Sequence, residues 1–155
     1  VPVVSVDDLV DIASLRRVVD EYALAVDGRD AAAFADLFTD DGVLAVYEAG
    51  EDDPSIEYVG RERLLEVVQL IAAFDATMHV MANHVVDVEG DEAFGRVYAL
   101  CHHLQEQDGK GEDTLMLLHY RDRYVRIDGR WRIARRDVLR QWTDPLAAER
   151  ARLSA

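Results

Sequence analysis

A chain of 155 residues has the length of one domain. At 50% hydrophobic and 31% charged residues it can build a core and is not a disordered, core-poor sequence. With 31 acidic against 17 basic residues the formal net charge is −14, which repels a phosphate backbone or an anionic bilayer and argues against nucleic acid and membrane as partners.

No apolar run approaches the roughly 18–20 residues of a membrane span. The opening VPVVSVDDLVDIASL lacks a basic region followed by a long apolar stretch, so no signal peptide is expected. A single cysteine, Cys101, excludes an internal disulfide and a multi-thiolate zinc site. A reducing, cytoplasmic location is the expectation.

Asp7 or Asp8 is placed to cap a first helix, with Leu9, Ile12, Leu15, Val19, Tyr22 and Val26 at helical spacing and Gly28 at its end. Asp30 is placed to cap a short second helix, with Ala33, Phe34, Leu37 and Phe38 on its apolar side. Thr39–Gly42 reads as a turn and Val43–Tyr47 as a strand. Gly50–Ser55 reads as an acidic loop and Ile56–Val59 as a short partner strand. Gly60 leads into a third helix with a broad apolar stripe, Leu64, Leu65, Val67, Val68 and Ile71. Four long strands follow: Thr77–Val88, Ala93–Gln107, Thr114–Ile127 and Arg130–Trp142. Glu89–Asp91, Gln107–Gly111 and the strong hairpin signal Asp128–Gly129 join them. The tail from Thr143 reads as a short helix or a frayed end. Helices first and hairpin-linked strands after predict a single α+β domain over residues 1–155, with helices on one face of an antiparallel or mixed sheet; the family resemblance set out below puts its core at about 8–146.

The chain has no Gly-rich phosphate loop, no Gly-x-Ser-x-Gly elbow and no His-Glu-x-x-His helix. His102 and His103 are adjacent on a predicted strand and face opposite ways. His79 and His84 are of opposite parity, so the histidines do not form a metal cluster. His79, with Met81 and Asn83 expected on its face, reads either as a base held near neutrality or as a hydrogen-bonded strand histidine. Asp27 opposes the dipole at the end of the first helix. It reads either as a functional carboxylate or as a solvated helix end. Helical geometry puts both Tyr22 and Asp27 at the flanks of the buried stripe. Tyr47, Tyr58, Tyr98, Tyr120 and Tyr124 read as core or rim, and Trp131, Ile133 and Arg135 as sharing one face. Cys101 and His103 share a face but stand about 7 Å apart, too far for an easy direct bond. The late arginines from Arg121 to Arg140 read as a solvated, salt-bridged face.

Several segments together resemble the SnoaL-like branch of the nuclear-transport-factor-2-like superfamily. They are Tyr22–Asp30, Phe34–Gly42, Gly60–Glu62, Met78–His84 and Tyr120–Ile133. The resemblance implies a cone, in which a strongly curved sheet wraps an apolar pocket closed by the N-terminal helices. It is closest to the dehydratase and dehydrochlorinase members. Their central-strand His falls on His79, their orienting Asp on Asp27, and the dehydratases' Tyr on Tyr22. The implied function is a small-molecule lyase of dehydration or elimination type with no metal or organic cofactor. The alternatives are a polyketide-type cyclase, an isomerase or an epoxide hydrolase, or else a non-catalytic binding or oligomerisation module. The implied pocket takes an apolar, ring-containing substrate. Its expected lining is Phe34, Phe38, Tyr47, Leu64, Val68, Met78, Met81, Asn83, Cys101, His103 and His119. A homo-oligomer, dimer or trimer, is expected by the same resemblance.

Overall fold

The computed structural model describes residues 5–107 and 110–148; Asp108 and Gly109 of the predicted loop, the first four residues and the tail beyond Ala148 lie outside the described residues. The elements run α1 (Val6–Asp27), α2 (Ala31–Asp36), β1 (Phe38–Tyr47), β2 (Ile56–Val59), α3 (Gly60–Ile71), β3 (Ala76–Glu89), β4 (Glu92–Gln107), β5 (Lys110–Ile127) and β6 (Arg130–Ala148). The strands form one curled, unclosed sheet in the order β2-β1-β6-β5-β4-β3. Every pairing is antiparallel except the parallel β1–β6 contact. Among the described residues no helix is long and apolar enough to cross a membrane.

Ser5 caps α1. Its hydroxyl accepts from Asp8 N–H while the Asp8 carboxylate accepts from Ser5 N–H, a reciprocal capping box whose cap lies two residues before Asp7, the nearer of the two expected caps. Leu15, Val18, Val19, Tyr22 and Val26 of α1 are buried in the curl of the sheet, whereas Leu9 is exposed, so the stripe starts a turn later than its sequence spacing suggests. Asp30 caps α2 through Ala33 N–H. The predicted Thr39–Gly42 turn is instead the irregular first half of β1, where pairing to β6 shifts between Phe38 and Val43. The predicted helical or frayed tail is strand as far as Ala148, paired to Gly111. Pro145 is tolerated there because β6 has lost β1 on its other side beyond Leu139.

Two of the sheet's bulges decide which side chains face inward around the site. On β3 the register jumps between Met81 and His84, so that two residues oppose Tyr98. On β6, Ala134 is left unpaired between Ile133 and Arg135. Each inserted residue reverses the alternation beyond it.

Candidate active site

α1 ends at Asp27 against the start of β3, and the carboxylate there is fully engaged. Asp27 Oδ1 lies 2.7 Å from His79 Nδ1 and accepts from the Thr77 hydroxyl at 2.8 Å. Oδ2 accepts from the His79 backbone N–H at 2.8 Å. The first positive-φ residue after the helix, Arg29 (φ 59°), folds back and donates to the Thr77 hydroxyl and to the carbonyls of Val26 and Phe74. The chain Arg29–Thr77–Asp27–His79 therefore fixes the imidazole from behind. A carboxylate opposed to the helix dipole is compensated here by three donors on the neighbouring strand.

These contacts set the protonation of the pair. Burial pushes the Asp27 carboxyl up, but the His79 ring, the His79 N–H and the Thr77 hydroxyl outweigh it and hold the group at about 2. Burial pushes His79 down, but the bonds to Asp27 and Cys101 raise it to about 9. His103 is drawn the other way. Burial and the neighbouring His79 charge lower it to about 4. The two imidazoles stand edge to face with centroids 5.4 Å apart, and His103 packs on Phe74 at 4.8 Å. At neutral pH the site thus holds one imidazolium and one neutral imidazole. Nδ1 of His103 is buried with no partner among the described residues.

Cross-strand register extends the site along the inner face. Cys101 lies opposite His79, and its Sγ is 3.6 Å from the Tyr120 hydroxyl. The Tyr120 ring meets Tyr22 edge to face at 5.9 Å, and Tyr22 packs on Phe34 at 5.1 Å. Between Tyr22 and Tyr120 lies the Arg136 guanidinium, 4.1 Å and 4.5 Å from the two ring centroids. Arg136 has no exposed surface and donates from Nε and Nη2 to Asp122, equally buried, at 2.8 and 2.7 Å. Tyr124 O–H donates to the same carboxylate at 2.5 Å. Arg136 Nη1 is buried without a partner among the described residues, a cationic donor left available on the inner face. Burial drives the Tyr22 hydroxyl up to about 12 against the pull of Arg136, so it is a neutral donor at physiological pH.

Of the predicted lining, Met81, Cys101 and His103 face inward beside His79, and Phe34, Phe38, Leu64 and Val68 are core. Tyr22 contributes to the Arg136 side of the interior rather than to the Asp27–His79 contact. Four assignments are corrected. Met78 is 61% exposed because it has the opposite parity to His79. Asn83 is exposed because the β3 bulge turns it outward and brings His84, not Asn83, to the inner side. His119 stacks on Tyr98 on the outer face. Tyr47 also faces out and accepts from Arg135 Nη2 at 3.1 Å. The β6 bulge likewise separates Arg135 from Trp131 and Ile133. Arg136, assigned to a solvated face, is the fully buried one.

Thr77, Arg29, Arg136 and Asp122 were missed. Asp122 was legible only as a polar residue between two tyrosines of the same parity on β5, one of which, Tyr124, donates to it. Arg136 was hidden by the bulge.

Three helices packed on a six-stranded, curled and unclosed sheet match the cone fold of the nuclear-transport-factor-2-like superfamily. More narrowly, the model of the SnoaL-like domain matches residues 7–137, and the chain belongs to that family. Solved structures share the fold. An aspartate-to-asparagine variant of Rv3472 from Mycobacterium tuberculosis, of unknown function, is 24% identical over 87% of this chain and 74% of its own, with a TM-score of 0.75. A scytalone dehydratase candidate from Novosphingobium aromaticivorans DSM 12444 is 24% identical over 93% of both chains, with a TM-score of 0.77. Hexachlorocyclohexane dehydrochlorinase LinA-type3 from Novosphingobium barchaimii LL02 is 22% identical over 96% of this chain and 98% of its own, with a TM-score of 0.78. At these identities the likeness is one of fold. A search of the curated proteins finds no relative.

Proposed function

We propose that this chain is a small-molecule lyase of the dehydratase or elimination type, in which His79 and Asp27 form the proton-transfer pair. The observation that carries the reading is the 2.7 Å contact between His79 Nδ1 and Asp27 Oδ1, with the same carboxylate fixed by two further donors. Elimination asks for a base at one carbon and a stabilised leaving group on the next. In its deprotonated form, which predominates above about pH 9, His79 Nε2 removes the proton, and Asp27 holds the tautomer and the imidazolium that forms. The unpartnered Arg136 Nη1 and the neutral Tyr22 hydroxyl supply charge and a hydrogen bond to the departing oxygen or halide. The fold neighbours that carry dehydratase and dehydrochlorinase names support this class. The apolar side chains beside His79 and Arg136 suit a ring-containing substrate.

A second reading is favoured by the charge state. With His79 a cation and His103 neutral at pH 7, His79 can donate to the leaving group while His103 accepts the proton. Both readings are tested together by incubating the protein with cyclic alcohols and halides that carry an activated C–H. Release of water or halide is scored, and the pH dependence of kcat/KM is measured. A base of His79's character gives kcat/KM rising about tenfold per pH unit to a plateau near 9; an acid gives the mirror image. A wild-type rate in both His79→Ala and Asp27→Asn would sink the dyad.

A further inference from the structure

Cys101 is the only cysteine of the chain, has no exposed surface and takes no step in the elimination. Its spacing along β4 sets it about 7 Å from His103. The sheet sets it closer to a different histidine. Cys101 and His79 are direct partners across β3 and β4, so their side chains leave the same face with Cβ atoms about 4.5–5.5 Å apart. Nδ1 of His79 is held by Asp27 at 2.7 Å, which leaves Nε2 as the nitrogen open to the thiol. Asp27, His79 and Cys101 thus stand in the order carboxylate, imidazole, thiol. In that order an oriented base takes the proton of a nucleophile.

The surroundings are polar. Burial lowers His79, but bonds to Asp27 and Cys101 and the charges of both raise it to about 9, so the ring is a cation facing sulfur at neutral pH. The Tyr120 hydroxyl lies 3.6 Å from Sγ. Burial drives it well above its ordinary range, so it keeps its proton and can donate to sulfur. Two further atoms call for a ligand. His103, only 4% exposed, stands edge to face on His79 with centroids 5.4 Å apart, and its Nδ1 has no partner among the described residues. Arg136, with no exposed surface, lies 4.5 Å from the Tyr120 ring centroid, and its Nη1 is likewise unpartnered among the described residues.

We propose that Cys101 is a nucleophile served by His79 and Asp27, and that the site takes an α,β-unsaturated carbonyl compound to which the thiol adds. Sulfur attacks the β-carbon. The S–C bond forms as the C=C π pair moves toward the carbonyl and leaves an enolate. The proton that passed from sulfur to His79 then goes to the α-carbon, so nothing is oxidised or reduced and no group departs. Arg136 Nη1 and the protonated Tyr22 hydroxyl are the donors that an enolate oxygen requires. This chemistry uses the Asp27–His79 contact and does not depend on the elimination.

The test uses 2-cyclohexen-1-one, incubated at neutral pH with the whole chain and followed by intact-mass spectrometry. A single adduct of the enone's full mass is expected, absent in Cys101→Ser. Its formation is at least about tenfold faster in the folded chain than in the same chain unfolded in urea, although folding removes the thiol from solvent. His79→Ala, checked for its circular-dichroism spectrum, loses that acceleration. Iodoacetamide, which alkylates a thiol without forming an enolate, gains less from folding than the enone does. A folded rate at or below the unfolded one, an adduct that persists in Cys101→Ser, or a wild-type rate in His79→Ala each overturns the proposal. Equal acceleration of both reagents overturns the carbonyl ligand. Enone addition in a chain that releases neither water nor halide from any tested substrate would sink the lyase reading and leave this one standing.

Discussion

Asp27 and Asp122 are the two carboxylates around which the interior is arranged, and they are held by different means. Asp27 is satisfied by neutral donors plus an imidazole at the mouth of the interior; Asp122 is satisfied by a buried guanidinium in its depth. The consequences of removing a partner differ accordingly. His79→Ala and Asp27→Asn are each expected to lower turnover by about 10²–10⁴-fold, since a positioned base is worth that much, and His79→Ala does so with the circular-dichroism spectrum unchanged because Asp27 keeps its bonds to the Thr77 hydroxyl and the residue-79 backbone N–H. Arg136→Met is expected to cost about 3–5 kcal/mol of stability in urea denaturation, because it leaves the Asp122 charge buried and unpaired. Adding Asp122→Leu to it should recover most of that loss. If the double variant is no more stable than the single one, the Arg136–Asp122 pair is not what holds that layer together.

At the scale of the elements, the bulges do more than bend strands. Because β3 gains one residue between Met81 and His84, its first half presents His79 to the site while its second half presents His84, Val86 and Val88 inward. Gly95 on β4 makes room for this arrangement. A Cβ there would stand 2.8 Å from the Tyr124 ring and 3.3 Å from His84 Nε2. Gly95→Ala is therefore expected to destabilise by about 1–3 kcal/mol through overpacking, read from the shift of the denaturation midpoint. Element order, the Asp128–Gly129 hairpin (φ 50° and 73°) and the Asp30 cap were all legible, because each rests on local chemistry within a few residues. So was the separation of His102 from His103, which depends only on unbroken alternation. Asn83, Arg135 and Arg136 were misplaced for one reason: a bulge leaves no signature of its own in composition, yet it reverses every side chain beyond it. The partners of Asp27 were not legible as a set, since Thr77 and Arg29 meet it only through tertiary folding.

For the whole molecule, the Asp27–His79 pair links folding to pH from both sides. Asp27 is depressed from 3.8 to about 2, so its contribution is complete above about 4 and is lost as pH falls through 2. His79 is raised from 6.5 to about 9, so its contribution is complete below 6.5 and is lost as pH rises through 9. Stability attributable to the pair should be level between these limits. Between pH 6.5 and 9, wild type should lose stability relative to His79→Ala with a slope approaching one proton; parallel curves would contradict the linkage. Self-association, proposed on family resemblance, is tested by sedimentation velocity, where a single species of monomer mass would remove it. The carboxylate that orients the imidazole also fastens the end of α1 to the edge strand β3, through the His79 backbone itself. Directed evolution toward acid tolerance therefore meets a single residue answering to two selections. A substitution that frees the histidine from its partner also unties the lid helix from the rim of the cone, and any rescue must come from Thr77 and Arg29 behind it.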